Sequence, residues 1–302
     1  MKILLFLVLT MPCCTTISGQ SKAVASPSDA TTSEQTVIAA GDIVDCYNLS
    51  GSEATAKLVD KIPGTVLTLG DLAYPDGTDQ NFNECYAKTW GRHKSRTRPA
   101  PGNHEYHTPG AAGYFNYFGK IAGETGRGYY SFDLGSWHII ALNSQCADVG
   151  GCQKGSQQER WLHDDLEKNS SKCILAYWHS PLFSSGSEHG NDPAMKPFWS
   201  DLYEAGADIV LNGHDHDYER FAPQNPDGIA DPKKGIREFV VGTGGKNQRR
   251  FNLPLPTTAS RSNSTFGVLK LTLHSQSYEW EFIPVAGGQF KDSGVGSCHS
   301  QK

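Results

Sequence analysis

Apolar positions along the chain follow two alternating rhythms. Short continuous runs at residues 36–40, 65–69, 137–142, 173–178 and 208–211 have the length and β-branched content of buried strands. Between them, apolar residues recur three and four apart, as on one face of a helix: Ala54, Leu58 and Ile62; Trp161, Leu162 and Leu166; Met195, Phe198, Trp199, Leu202 and Tyr203. Each stripe has a start signal. Ser50 with Glu53 and Ser156 with Glu159 read as capping boxes, Asp192 before Pro193 reads as a cap with a first-turn proline, and Gly206 is a stop. The alternation of strand and helix predicts an α/β fold.

The C-terminal third lacks intervening helices. Runs at 238–241, 267–273 and 278–285 read as strands joined by short turns, and they are expected to build a second, partly antiparallel sheet. No repeat or linker divides residues 35–298, so one domain is expected there. Ahead of it, Met1-Lys2 and the apolar run 3–9 are too short to span a bilayer but suit an export signal over residues 1–20. A flexible Ser, Thr and Ala-rich leader at 21–34 follows. Cys13 and Cys14 make a lipoprotein anchor the competing reading, which Met11-Pro12 fits poorly.

Export changes how the cysteines are read. Cys46, Cys85, Cys146, Cys152, Cys173 and Cys298 remain, an even set that suggests disulfides. Cys146 and Cys152 are spaced to close a small loop, and Cys173 is one candidate partner for Cys298; the connectivity stays open. No C-x-x-C pair occurs, so a metal site here is built without sulfur. A net charge of −5 argues against nucleic acid or an acidic membrane as a partner. Asn48, Asn169 and Asn263 begin N-x-Ser/Thr sequons, and nothing in the chain fixes an oligomeric state.

Polar clusters close the apolar runs: Gly41-Asp42, Gly70-Asp71-Leu72-Ala73-Tyr74, Gly102-Asn103-His104-Glu105, His179, and Gly213-His214-Asp215-His216. Asp42 and Asp71 lie one strand-helix-strand unit apart, so both fall at C-terminal strand ends, where open parallel sheets gather ligands. Carboxylates brought together there repel one another unless a cation neutralises them. Asp71 can bridge two ions, with Asp42 and Asn103 on either side. Tyr74 can offer a phenolate to the more acidic ion, and imidazoles suit iron, zinc or manganese. His214 and His216, two apart, can face different ions of a pair.

Taken in order, GD, GDLAY, GNHE, the His of YWHSP and GHDHDYER resemble the calcineurin-like metallophosphoesterase superfamily. Tyr74 points within it to the purple acid phosphatase branch, and the resemblance covers most of residues 36–290. It implies a two-sheet β-sandwich flanked by helices, in four layers, with the site at the upper edge. It implies that Asp42, Asp71, Tyr74 and His216 hold an iron(III)-type ion, while Asp71, Asn103, His179 and His214 hold a divalent one. The activity it implies is hydrolysis of phosphomonoesters by water activated between the ions, and the partner a small phosphorylated molecule. A phosphodiesterase or nucleotidase would use the same ions, and a secreted binding protein without turnover is the contrast from another class.

Two departures qualify the resemblance. Plant-type relatives carry an N-terminal fibronectin-like domain, so this chain is expected to be a minimal, secreted or periplasmic member. Those relatives also place two adjacent His after the ligand His, where this chain has Glu188-His189. His104 is therefore the first candidate to contact the phosphoryl group or protonate the leaving group, and His189 the second. His138, His163 and His274 read as surface or hydrogen-bonded positions, whereas His107 lies close enough to the Asn103 loop to touch substrate. Gly242-Thr243-Gly244-Gly245 lacks the Lys-Ser/Thr of a phosphate-cradling loop and reads as a place of tight approach. Glu219 and Arg220 are expected to brace the His loop as an ion pair.

Overall fold

The computed structural model describes residues 1–5, 34–170 and 172–299. The export signal beyond residue 5, Cys13, Cys14 and the leader up to residue 33 lie outside the described residues. No helix among those described is long and apolar enough to cross a membrane.

Residues 34–299 build two sheets. The first contains β1 (Gln35–Ala40), β3 (Thr65–Leu69), β5 (Thr97–Ala100), β13 (Gly267–Leu273), β14 (Ser277–Pro284) and β15 (Ser293–Ser297), in the order β15-β14-β13-β1-β3-β5. The second contains β6 (Tyr130–Leu134), β7 (Trp137–Ala141), β8 (Cys173–Tyr177), β9 (Ile209–Asn212), β10 (Tyr218–Phe221), β11 (Arg237–Val241) and β12 (Thr258–Ser262), in the order β12-β10-β11-β9-β8-β7-β6. A two-stranded ribbon pairs β2 (Val44–Asp45) with β4 (Ala73–Tyr74). Strands β1, β3 and β5 are parallel, as are β7, β8, β9 and β11.

The continuous apolar runs are explained by burial on both faces. In β8, Leu175 and Tyr177 join the core between the sheets, while Ile174 and Ala176 join a second core. That second core is covered by α4 (Gln157–Lys168) and α5 (Lys196–Glu204), through Leu162, Leu166, Phe198, Trp199 and Leu202. On the other sheet lie α1 (Ser50–Val59), α2 (Asp79–Glu84) and α3 (Ala112–Phe118). Helix, sheet, sheet, helix is the four-layer sandwich expected.

Three expectations need correction. The C-terminal strands do not form a sheet of their own: β11 adds parallel to β9, whereas β13 pairs antiparallel with β1. Long-range pairing distributes them over both sheets, which local pattern cannot foresee. Ser50 is not the cap of α1. The helix begins at Ser50, whose amide donates to Asn48 Oδ1 at 3.1 Å; its fully buried face includes Ser52, Thr55, Ala56 and Val59, while Leu58 and Ile62 of the expected stripe pack partly buried against the same core. Small polar residues face inward there because the glycine loop comes close, with Thr55 Oγ1 donating to the Gly244 carbonyl at 2.6 Å. Glu219 and Arg220 do not pair. They project from opposite faces of β10: Glu219 accepts from the amide of Ser185 at 2.7 Å, and Arg220 grips Asp292 at 2.7 and 2.9 Å.

The other caps hold, although Glu159 accepts from the Gly155 amide and not from that of Ser156, so no reciprocal capping box forms. Ser156 Oγ accepts from the Glu159 amide and Asp192 Oδ1 from the Ala194 amide. Disulfides join Cys46 to Cys85, Cys146 to Cys152 and Cys173 to Cys298.

Candidate metal centre

Both sheets aim the C-terminal ends of their parallel strands at one edge. Asp42 follows β1, Asp71 follows β3 and Asn103 follows β5; His179 follows β8, and His214 and His216 follow β9. Asp42, Asp71 and His214 all adopt positive φ, 58°, 53° and 74°, a conformation unusual for residues with a Cβ. Strain of this kind persists only where the surroundings impose it, and it clusters at functional sites. The glycines that precede them permit the approach. A Cβ on Gly70, itself at φ 82°, would lie 2.5 Å from His179 Nδ1, and one on Gly102 would lie 2.2 Å from Asp71 Oδ1. Gly242 and Gly244 behave the same way, meeting the backbone of Asp215 and Gly41, so that loop is a place of tight approach as expected.

The donors converge in two groups around Asp71. His179 Nε2 lies 3.3 Å from Asp71 Oδ2, 3.1 Å from Asn103 Oδ1 and 3.0 Å from His214 Nδ1. Tyr74 Oη lies 3.0 Å from Asp71 Oδ2, 2.9 Å from Asp42 Oδ1 and 3.2 Å from His216 Nε2. All seven expected donors therefore share one cluster, with Asp42, Asp71, Tyr74, His179 and His216 buried and Asn103 and His214 partly exposed.

The neighbours fix which ring nitrogens face inward. The Leu69 carbonyl, 2.8 Å from His179 Nδ1, can only accept, so Nδ1 carries the hydrogen and Nε2 turns its lone pair to the cluster. Asn247 Oδ1 does the same for His216, at 2.5 Å from its Nδ1. Such outer partners are what orient metal-binding imidazoles. The result is an excess of acceptors: Tyr74 has one hydrogen for Asp42, Asp71 and His216. Without a cation, His179 must hold a proton. Burial disfavours that, but the charges and hydrogen bonding of Asp71, with help from Asp42, outweigh it and push the ring up to about 9. His214 is then forced down to about 2 by burial and by the charge on His179. A proton serves two of these atoms; a metal ion would serve all of them, so the donor set fits one.

The flanking candidates differ. His104 donates from Nδ1 to the Pro75 carbonyl at 2.5 Å and tilts over Tyr74 at 4.3 Å between rings, which leaves Nε2 3.7 Å from Asp71 Oδ2. His189 stacks on His214 at 3.9 Å, and its Nε2 accepts from Arg249, which also contacts Glu188. Burial and that guanidinium lower the His189 pKa, so the ring is neutral. His107 pairs with Asp76 on the surface and packs on His104. His138 is buried between Asp133 and Asp165, while His163 and His274 pair with exposed glutamates.

Three further residues take roles that the sequence pattern does not assign. Glu105 is fully buried and accepts from the amides of Asp71, Leu72 and Gly102 at 2.8–2.9 Å; burial and the Asp71 charge push its carboxyl up to about 7. Its place three residues after Gly102 was the available signal. Asn247 and Arg249 had none, since the loop after the glycines shows no pattern of its own.

A family model described as calcineurin-like phosphoesterase matches residues 35–218 of this chain. The chain belongs to that family. Purple acid phosphatase 15 of Arabidopsis thaliana is 29% identical over 216 residues, 60% of this chain and 40% of the relative. Purple acid phosphatase 1 of Ipomoea batatas is 30% identical over 176 residues, 51% of this chain and 36% of the relative. The matches place this family member in the purple acid phosphatase-like branch, although it spans less than half the length of these curated relatives. Among solved structures, purple acid phosphatase PPD1 of yellow lupin (Lupinus luteus) superposes with a TM-score of 0.72 at 21% identity, covering 91% of this chain and 56% of that one. At that identity the likeness shows the fold alone.

Proposed function

We propose that this phosphoesterase-family chain is a secreted phosphomonoesterase working with two metal ions, one an iron(III) held by Asp42, Asp71, Tyr74 and His216. Asp71, Asn103, His179 and His214 would hold the other, an iron, zinc or manganese dication. The observation that carries the reading is the excess of acceptors: two groups of inward-facing donors, most of them buried, share Asp71, with too few hydrogens to satisfy them. Ions bound there would activate water and neutralise the phosphoryl charge. The chain supplies the rest. Leu69 and Asn247 hold the imidazoles in one tautomer, and Glu105 fixes the backbone that carries Asp71. His104, anchored through Nδ1, presents Nε2 to the phosphoryl oxygens or the leaving group. His189, neutral and held by Arg249, orients a substrate on the other side. The three disulfides are consistent with an oxidising compartment.

One experiment tests this: metal analysis and the visible spectrum of concentrated protein, with turnover of p-nitrophenyl phosphate and its diester. Two ions per chain, a violet phenolate band and preference for the monoester are expected. Two ions with diester preference would replace the substrate class, and protein that retains no metal would end the reading.

A further inference from the structure

Beyond the groups already described, a further charged side chain lies against the site. Lys246 follows the glycine loop, and its backbone amide donates to the Asp42 carbonyl at 3.0 Å. Its ammonium lies over the Tyr74 ring, 4.9 Å from the centroid, and pairs with Asp45 Oδ2 at 2.9 Å. The ribbon sets this stack, because Asp45 on β2 is the register partner of Tyr74 on β4. The other Asp45 oxygen accepts from the Tyr47 amide at 3.0 Å, which fixes the carboxylate. Lys246 is about three-quarters buried, with 24% of its side chain exposed, so the charge acts through little water.

We infer that Lys246 is a positioning residue for the Tyr74 phenolate, setting its electron-donating strength toward the ferric ion, with Asp45 as the opposing charge. The inference rests on the proposed iron(III) site. A cation over an aromatic face is attracted to its electrons, and more so once the phenol has lost its proton. Lys246 therefore lowers the energy of the filled phenolate orbital. With a ferric ion bound, the visible band would move an electron from that orbital to the metal, so the lysine would raise the energy of the transition. Since the ammonium lies over the ring, it acts first on the electrons of the donor.

The test is the wavelength of the visible band in the iron-loaded whole chain. Wavelength, unlike intensity, does not depend on how much metal is bound. Lys246→Met, of similar length but without charge, should move the band to longer wavelength, and Lys246→Arg should return it to the wild-type position. Asp45→Asn should move it to shorter wavelength, because the lysine charge is then uncompensated. An unshifted band in both Lys246→Met and Asp45→Asn overturns the inference while leaving the iron site intact. A wild-type protein that binds iron without any visible band overturns the phenolate site itself, and the inference with it.

Discussion

The carboxylate of Glu105 accepts the backbone N–H of Asp71 at 2.9 Å, so a buried acid holds in place the loop that carries the shared carboxylate. The same oxygen accepts from Gly102, tying the strand end of β3 to that of β5. Removing it strands several buried amides, each costing about 1–3 kcal/mol. Glu105→Ala should lower unfolding stability by roughly 3 kcal/mol or more on that basis. Glu105→Gln, which can still accept, should lose less. Urea titration of the two variants checks this, and an unchanged midpoint in Glu105→Ala would refute the role.

Asn103 and His104 are adjacent but serve different ends. Asn103 Oδ1 faces His179, whereas His104 presents a ring nitrogen outside the donor cluster. Asn103→Ala should lose metal and turnover together. His104→Ala should keep its metal and lose turnover by about 10²-fold or more, the usual size of a general-acid contribution. Metal content measured beside phosphomonoesterase rate separates the two, and wild-type rates in both variants would dismiss the assignment.

His138 donates to Asp165 at 2.7 Å and Asp133 at 2.9 Å. Burial opposes its charge, but the two carboxylates prevail and raise its pKa above 6.5. The imidazolium thus stabilises the fold fully below the unfolded-state value, and that contribution fades as pH rises through the folded-state value. His138→Gln should therefore cost more melting temperature at pH 5 than at pH 9. A cost independent of pH would count against the charged pair.

The Cys173–Cys298 disulfide sits at the N-terminal end of β8, whereas His179 follows its C-terminal end. It closes a loop of sequence separation 125. Cys298→Ser together with Cys173→Ser should cost about 2–5 kcal/mol of stability. Activity at room temperature should be unaltered. A loss of metal in the double variant would show that the two ends of the strand are coupled.

The sequence by itself determined what is local. A polar residue closing an apolar run, after Gly in Asp42, Asp71, Asn103 and His214 and after Trp178 in His179, marked these five as candidates, because a strand end and a tight turn are set by neighbours in the chain. The helix stripes of α4 and α5 and the caps at Ser156 and Asp192 were legible for the same reason. Tertiary structure decided everything that depends on distant partners. It placed β13 beside β1 and β11 beside β9, turned Thr55 inward toward Gly244, and sent Arg220 to Asp292 instead of Glu219. It also supplied Glu105, Asn247, Arg249 and Lys246 to the site. Apart from the local bond of Glu105 to Gly102, their side chains act through hydrogen bonds and charges across 30 or more positions of sequence, as from Asn247 to His216 with a separation of 31, and no local periodicity encodes such a meeting.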